Sequence, residues 1–413
     1  MTDSSTAAKK SVAVFLGGRS PEHDVSVVSG LQVFQAIDRT KYDPFIVYVA
    51  GDGGFYVGGE LESRDFYVPS GAQKQALCEV VIDAHPAEKG KGALVAKSSG
   101  LFAKPKRFIF DIALPVFHGL SGENGAVQGM FEMMNVPYAG MRVMGAGVAM
   151  DKVATKRLLR SLDIATLPFV ELKRPQEGYL VPARELEAQL KDLEFPVIVK
   201  PSHLGSSIGV AKAKTIEDVA ACLPAIFKYD THAIIEPFVK NLVEYNVAVM
   251  RKDGEVITSA IERPKGTDDL LDFKQKYCSG GDGKTGVKTG GVKNPGQISE
   301  GMLSLTRELN PKLTTQQEDF IRSSAIKFFE AAGGAGSPRI DFIGDSKSGE
   351  IWFNEVNPCP GSYGYFLWEA AAQPLLFTKF VSALLEEARV QSQGQSLPDD
   401  PVPADAQLFK RKD

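Results

Sequence analysis

Apolar and polar positions along this chain follow two periods, and the changes between them mark its elements. Short continuous apolar runs at 11–16 (SVAVFL), 45–50 and 108–117 predict strands covered on both faces. Residues 25–37 and 127–134 between them predict helices, so the chain opens as the β-loop-α-β unit of an α/β layer. Residues 51–107 lose this regularity and are rich in Gly, Lys and Ser, which predicts an insertion. A helix follows at 150–162, then strands at 195–200, from 210, at 233–239 and from Glu244. The Gly-, Lys-, Asp- and Thr-rich stretch at 263–296 is too long for a tight connection and predicts a mobile lid or a disordered excursion. A helix at 316–332 leads into the most regular pattern of all, at 339–361. There RIDFI and EIWFNEVN alternate around the turn formers GDSKSG, a β-hairpin. Residues 368–388 read as largely helical. Residues 1–10 and the Pro-rich stretch 391–413 read as disordered tails.

Composition narrows the class. The chain has 413 residues, 43% hydrophobic and 24% charged, with a net charge of -4. This suits a multidomain globular protein and gives no basic excess for nucleic acid. No apolar run is long enough to predict membrane insertion. Four scattered cysteines, Cys78, Cys222, Cys278 and Cys359, have no zinc spacing and read as free thiols of a cytoplasmic protein.

Candidate chemistry starts at the hairpin. Period two puts Arg339 with Asp341, and Glu355 with Asn357, on single faces. A register pairing Asp341 with Glu355 gathers two carboxylates, an amide and a guanidinium, a set suited to Mg²⁺ and phosphate. A merely solvated hairpin face would alternate in the same way. Lys152 and Lys156 are four apart and share a helix face. Lys200 ends a strand before the loop PSHLGSSIG, whose N–H and hydroxyl groups can cover phosphates. Lys200 precedes that loop, so it is not a Walker A loop, and Gly17-Gly18 after the first strand is not a GxGxxG fingerprint. Glu22, His23 and His118 follow the carboxyl ends of predicted strands, where open α/β sheets bind ligands.

The segments GGRSPEHDVSVVSG, HGLSGENGAVQGMFEMMNVPYAG, MDKVATKRLL, VIVKPSHLGSSIGV and RIDFIGD…NEVNPCPG resemble, in order and spacing, the D-alanine–D-alanine ligases of the ATP-grasp superfamily. The resemblance implies an ATP-grasp fold with an N-terminal Rossmann-like domain at 11–145, a central subdomain at 146–240 and a C-terminal one at 241–390. It implies that ATP activates the carboxylate of one D-alanine as an acyl phosphate, which the amino group of a second attacks, for peptidoglycan synthesis. By the same resemblance Lys156, Lys200 and Lys276 meet ATP phosphates, under Ser206 and Ser207. Glu236, Pro237 and Val239 hold adenine, and Glu244 holds ribose. Asp341, Glu355 and Asn357 bind two Mg²⁺ or Mn²⁺, and Arg339 stabilises the acyl phosphate. Glu22 binds the first ammonium, with His118 close by, and Ser206 or Ser207 with Tyr277 completes a hydrogen-bonded group. A homodimer is implied too.

One pocket departs from the family pattern. After the Asn-x-x-Pro-Gly turn the family usually has a Thr and then a Ser for the second substrate's carboxylate. Here Gly361 is followed by Ser-Tyr-Gly-Tyr-Phe, with Phe366 at the serine position and Ser362, Tyr363 or Tyr365 as the substitute. The alternative is therefore the same carboxylate-activating chemistry with another second amino acid or a hydroxy acid. Lys276-Tyr277 resembles the dipeptide-forming members and favours an amine. A non-catalytic relative would not need these metal and phosphate residues.

Overall fold

A computed structural model of the chain describes residues 8–67, 76–84, 90–97, 104–205, 209–264, 307–395 and 406. The apolar run at 11–16 lies within strand Lys10–Gly17 (β1), which takes in the last position of the expected tail; Val12, Ala13, Val14, Phe15 and Leu16 are all buried. Helix His23–Ala36 (α1) and strand Tyr42–Val49 (β2) complete the opening unit. The expected insertion is more regular than its composition suggests. It holds strands Phe55–Val57 (β3), Cys78–Asp83 (β4) and Gly92–Ala96 (β5), each antiparallel to the next. The run expected as one strand at 108–117 splits into Arg107–Phe110 (β6) and Ile112–Pro115 (β7). Asp111 lies at the break, where Ser11 N–H donates to its Oδ2 and its own N–H donates to Ser11 O. β6 pairs with β5 and β7 with β1, giving the order β6-β5-β4-β3-β2-β1-β7. The two ends of the sheet are consecutive halves of one run.

Helices Ala126–Met133 (α2), Val143–Met150 (α3) and Lys152–Ser161 (α4) lead to a second layer. It comprises Val170–Lys173 (β8), helix Ala183–Leu190 (α5), Val197–Pro201 (β9), Ala211–Ala213 (β10), helix Ile216–Phe227 (α6) and His232–Pro237 (β11). The strands run antiparallel in the order β10-β9-β11-β8. Val197, Val199, Ala233 and Ile235 pack with Leu186, Leu190, Val219 and Leu223 of the helices. Alternation then sends Lys200 and Glu236 to the opposite face.

The third layer is Leu242–Lys252 (β12), Glu255–Pro264 (β13), Arg307–Leu309 (β14), helix Thr315–Ala331 (α7), Arg339–Asp345 (β15) and Ile351–Asn357 (β16). The order is β14-β13-β12-β15-β16. A capping box between Thr314 and Gln317 starts α7. Its Ile321, Ala325, Phe328 and Phe329 share a core with Val247, Val249, Ile340, Phe342 and Phe353. Two helices close the chain, Tyr365–Glu369 (α8) and Phe377–Gln395 (α9). The segment expected as largely helical at 368–388 is interrupted at 370–376, and α9 continues past 391 into the expected tail. Trp368, Phe380, Leu384 and Leu385 join the core that Val12, Val14, Leu16 and Phe34 begin. Most of the expected lid, from 265 on, lies outside the described residues; β13 runs through its first positions to Pro264. Among the described residues no helix is long and apolar enough to cross a membrane.

Candidate active site

The hairpin adopts the register expected from its alternation: Asp341 pairs with Glu355 and Arg339 with Asn357. Asn246 of β12 pairs with Asp341, and Glu262 of β13 pairs with Asn246. Directly paired residues share a face. Glu262, Asn246, Asp341 and Glu355 therefore form one polar row across four strands, on the side away from α7. The Arg339 guanidinium forks onto Asp341, Nε to Oδ1 at 2.6 Å and Nη2 to Oδ2 at 2.7 Å. Asn246 Nδ2 donates to Glu262 Oε2 at 3.2 Å. Burial holds the Asp341 carboxyl above its ordinary value against the pull of Arg339. Glu355 moves the other way: burial works upward, but Lys152 and Lys200 outweigh it and lower its pKa. Among the described residues, Asn357 Oδ1 is buried without a hydrogen-bond partner. Two carboxylates beside an orphaned amide oxygen are a donor set that fits a hard divalent cation.

Opposite this row stand three lysines. Lys156 of α4 is fully buried, and its Nζ lies 2.5 Å from Glu236 Oε1 and donates to Thr166 Oγ1 at 2.7 Å. Lys200 Nζ lies 2.7 Å from Glu236 Oε2 and 3.2 Å from Asn354 Oδ1. Asn354 is the extra residue where the hairpin register shifts after Asp341. Lys152, one turn before Lys156, reaches Glu355 at 3.4 Å and donates to Leu204 O at 2.8 Å. Glu236 is thus a buried carboxylate shared by two ammonium groups. Burial works to raise its pKa, yet Lys200 and Lys156 bring it down to about 2. Its carboxylate is turned onto the lysines. Pro237 and Val239 follow at the crossing to the third sheet, where Phe238 N–H donates to Pro196 O. Glu244 stands on β12 beside this face, paired with Ile343.

The N-terminal loops supply a third wall. Glu22 immediately precedes α1. A Cβ on Gly119 would lie 2.8 Å from Glu22 Oε2, and one on Gly205 3.4 Å from the same atom. The Glu22 carboxylate therefore sits where the first loop, the 118–125 loop and the glycine loop meet. Gly119 also has φ +79°, a backbone that a side chain would strain. His118 is buried against Ser29 Oγ at 3.1 Å, and burial lowers its pKa to about 4, so it is neutral. Glu123 accepts from Gly119 N–H and, at 3.1 Å, from Cys359 N–H just past the hairpin. Burial pushes its pKa up to about 8.

The expected residues do not all converge. Ser362 is buried and donates to Gln32 Oε1 of α1. The Phe366 ring lies beneath the Arg307 guanidinium at 4.2 Å, and Arg307 Nη1 is 3.0 Å from Glu262 Oε1. Ser206, Ser207, Lys276 and Tyr277 lie outside the described residues. Lys152 and Glu123 carry central contacts that sequence reading left without a role. The spacing of Lys152 from Lys156 was a usable signal, whereas Glu123 meets a partner 236 positions away with nothing local to announce it.

Comparison with known proteins bears on the whole arrangement. Residues 11–141 match the family model described as "D-ala D-ala ligase N-terminus", and 158–303 and 303–386 match "D-ala D-ala ligase C-terminus". A D-alanine–D-alanine ligase from Thermosipho africanus is 31% identical over 87% of this chain and 88% of its own length. One from Sodalis glossinidius is 30% identical over 94% and 97%. Among solved structures, the D-Ala:D-Ser ligase VanG from Enterococcus faecalis superposes with a TM-score of 0.69 at 25% identity, over 92% of this chain and 100% of its own. The D-alanine–D-alanine ligase from Coxiella burnetii gives 0.71 at 23%, over 94% and 96%, a likeness of fold.

Proposed function

This chain belongs to the D-alanine–D-alanine ligase family, and on that footing we propose how its own residues divide the work. It is an ATP-dependent ligase of the ATP-grasp fold that joins two D-alanine molecules, using ATP and a divalent metal. The observation that carries the assignment of roles is the polar row Glu262–Asn246–Asp341–Glu355, set opposite the cluster Lys156–Glu236–Lys200.

ATP and a carboxylate substrate repel each other, so cations must hold both. Lys156 and Lys200 meet the nucleotide phosphates, and Lys276, Ser206 and Ser207 are assigned to the same phosphates by the family resemblance. Glu236, Pro237 and Val239 border adenine, and Glu244 takes ribose. Asp341, Glu355 and Asn357 would hold the divalent cations, two Mg²⁺ in this reading. A cation held by these residues would supply charge neutralisation for the transferring phosphoryl group and its leaving oxygen. Glu22 binds the ammonium of the first D-alanine, and neutral His118 behind it adds no competing charge. Arg339, its fork held on Asp341, lends its positive charge to the acyl phosphate and the oxyanion formed when the second amine attacks. Tyr277 completes the hydrogen-bonded group at Glu22, and Ser362 and Phe366 border the second amino acid. The reaction takes place in the cytoplasm, in a homodimer whose mass light scattering would report.

The test is phosphate release by the purified protein with ATP, Mg²⁺ and a panel of D-amino and D-hydroxy acids, with products identified by mass. D-alanine alone should suffice and yield D-alanyl-D-alanine. Release that requires a different second acid would overturn the substrate assignment and leave the ligase chemistry standing.

A further inference from the structure

His203 does not belong to the row, the lysine cluster or the amino-acid wall, yet carboxylates face it on two sides. It lies two positions beyond β9, in the segment 201–205 that leads into the glycine loop. Its N–H donates to Asp230 Oδ2 at 2.7 Å, and its Nδ1 lies 2.8 Å from Asp230 Oδ1. Its Nε2 lies 3.5 Å from Asp151 Oδ2 on the other side. Asp151 in turn is the N-cap of α4, with Oδ1 accepting from Val153 N–H at 2.9 Å and Ala154 N–H at 3.1 Å. The same oxygen accepts the Ser202 hydroxyl at 2.8 Å. Lys152 N–H donates to Ser202 O at 3.1 Å, and Lys152 Nζ to Leu204 O at 2.8 Å.

We propose that His203 is a positioning residue: bridging Asp151 and Asp230, it fixes the segment 201–205 against α4, the helix that carries Lys152 and Lys156. This rests on the assignment of those lysines and of Lys200 to ATP phosphates. Ser202, His203 and Leu204 each bond to α4 or to the turn before β11, so the end of β9 cannot shift without breaking several of these bonds. The bridge needs both ring nitrogens as donors, which only the imidazolium provides. Hydrogen bonds to Asp151, then Asp230, raise the His203 pKa to about 10, so the cation is the form present at neutral pH. Ligand atoms of His203, Asp230 and His232 also fall within 4.8 Å of one another, a spacing open to a metal. Asp230 already accepts three hydrogens, from His203 N–H, from Nδ1 and from His232 N–H at 3.1 Å. Both His203 nitrogens face carboxylates, so protons satisfy the cluster.

The test compares steady-state kinetics of the full-length wild type with H203Q, H203R and D151N. Glutamine removes the charge, arginine keeps a cation that can reach both carboxylates, and asparagine keeps the helix cap while removing the charge that faces His203. H203Q and D151N should raise the KM for ATP about tenfold, the scale of one lost hydrogen bond to a charged group, with the KM for D-alanine little changed and the melting temperature near wild type. H203R should recover most of the loss. Wild-type KM for ATP in D151N, or H203R as impaired as H203Q, would overturn the proposal. So would an equal rise in both KM values accompanied by a lower melting temperature. Failure of the phosphate assignment would look different: the lysine variants K156A and K200A would keep wild-type KM for ATP.

Discussion

Glu236 is the residue on which stability and nucleotide binding meet most directly, and replacing it by glutamine separates the two. The substitution leaves Lys156 and Lys200 buried against an amide, with one NH₂ forced toward an ammonium. Two routes give the magnitude. Removing one partner of a buried ion pair costs about 3–5 kcal/mol, because the remaining charge loses its counterion. Lowering the carboxyl from 4.5 to about 2 corresponds to about 3 kcal/mol at 1.36 kcal/mol per unit. The sign follows from a folded pKa below the unfolded one: this contribution is complete above 4.5 and is lost as pH falls toward 2. At neutral pH E236Q should therefore lose about 3 kcal/mol in urea unfolding without ligand. ATP phosphates bring negative charge to the same lysines, so a non-hydrolysable nucleotide should restore more stability to E236Q than it adds to wild type. Unfolding of E236Q within about 0.5 kcal/mol of wild type, the scatter of an ordinary surface substitution, would refute the reasoning.

Other expectations follow from the same geometry. Arg339→Lys gives up the two-point fork on Asp341 and should lower kcat by about 10²–10³ with a smaller change in KM for ATP; single-turnover kinetics would show it. Asp341→Asn should raise the Mg²⁺ concentration needed for half-maximal rate by about tenfold or more, read from a metal titration. Gly119→Ala puts a methyl 2.3 Å from Ser20 Oγ and 2.8 Å from Glu22 Oε2 at a φ of +79°, so the KM for D-alanine should rise well above any change for ATP. His118, buried and neutral with a pKa of about 4 against 6.5 unfolded, contributes stability that is complete above pH 6.5 and is lost as pH falls to 4. That amounts to about 3 kcal/mol, and His118→Asn should flatten the urea midpoint over this window.

The hairpin was legible because apolar Ile340, Phe342 and Val356 alternate with its charged and amide residues, and a slip by one would have buried those charges. The same logic reached across to Lys200, whose neighbours Val197 and Val199 face the helices. It failed where pairing is short and non-local. β3 has three residues, and β4 and β5 are separated from each other by a polar stretch, so no single window between 51 and 107 carried a strand signal. Asp111 showed no sign of interrupting an otherwise apolar run, because what breaks that run is a bond to Ser11, a hundred residues earlier. Glu236 illustrates the limit at the site. Its position on a strand end was readable, but its orientation depends on two ammonium groups from α4 and β9 that only the tertiary fold brings together.

The sharing of one core by the first strand and the last helix has a consequence for how the chain is made. β1, α1 and β2 leave the ribosome long before Trp368, Phe380 and Leu384, which complete their packing. Domains generally fold as units during synthesis, the N-terminal one first. Here the early part holds an open apolar face for as long as some 250 further residues take to be translated, a count set by the spacing of Ile112–Pro115 and Tyr365–Glu369. Cys359 N–H, just past the hairpin, donates to Glu123 Oε1 of the 118–125 loop, so the amino-acid wall of the active site takes its final form only when the end of the chain arrives.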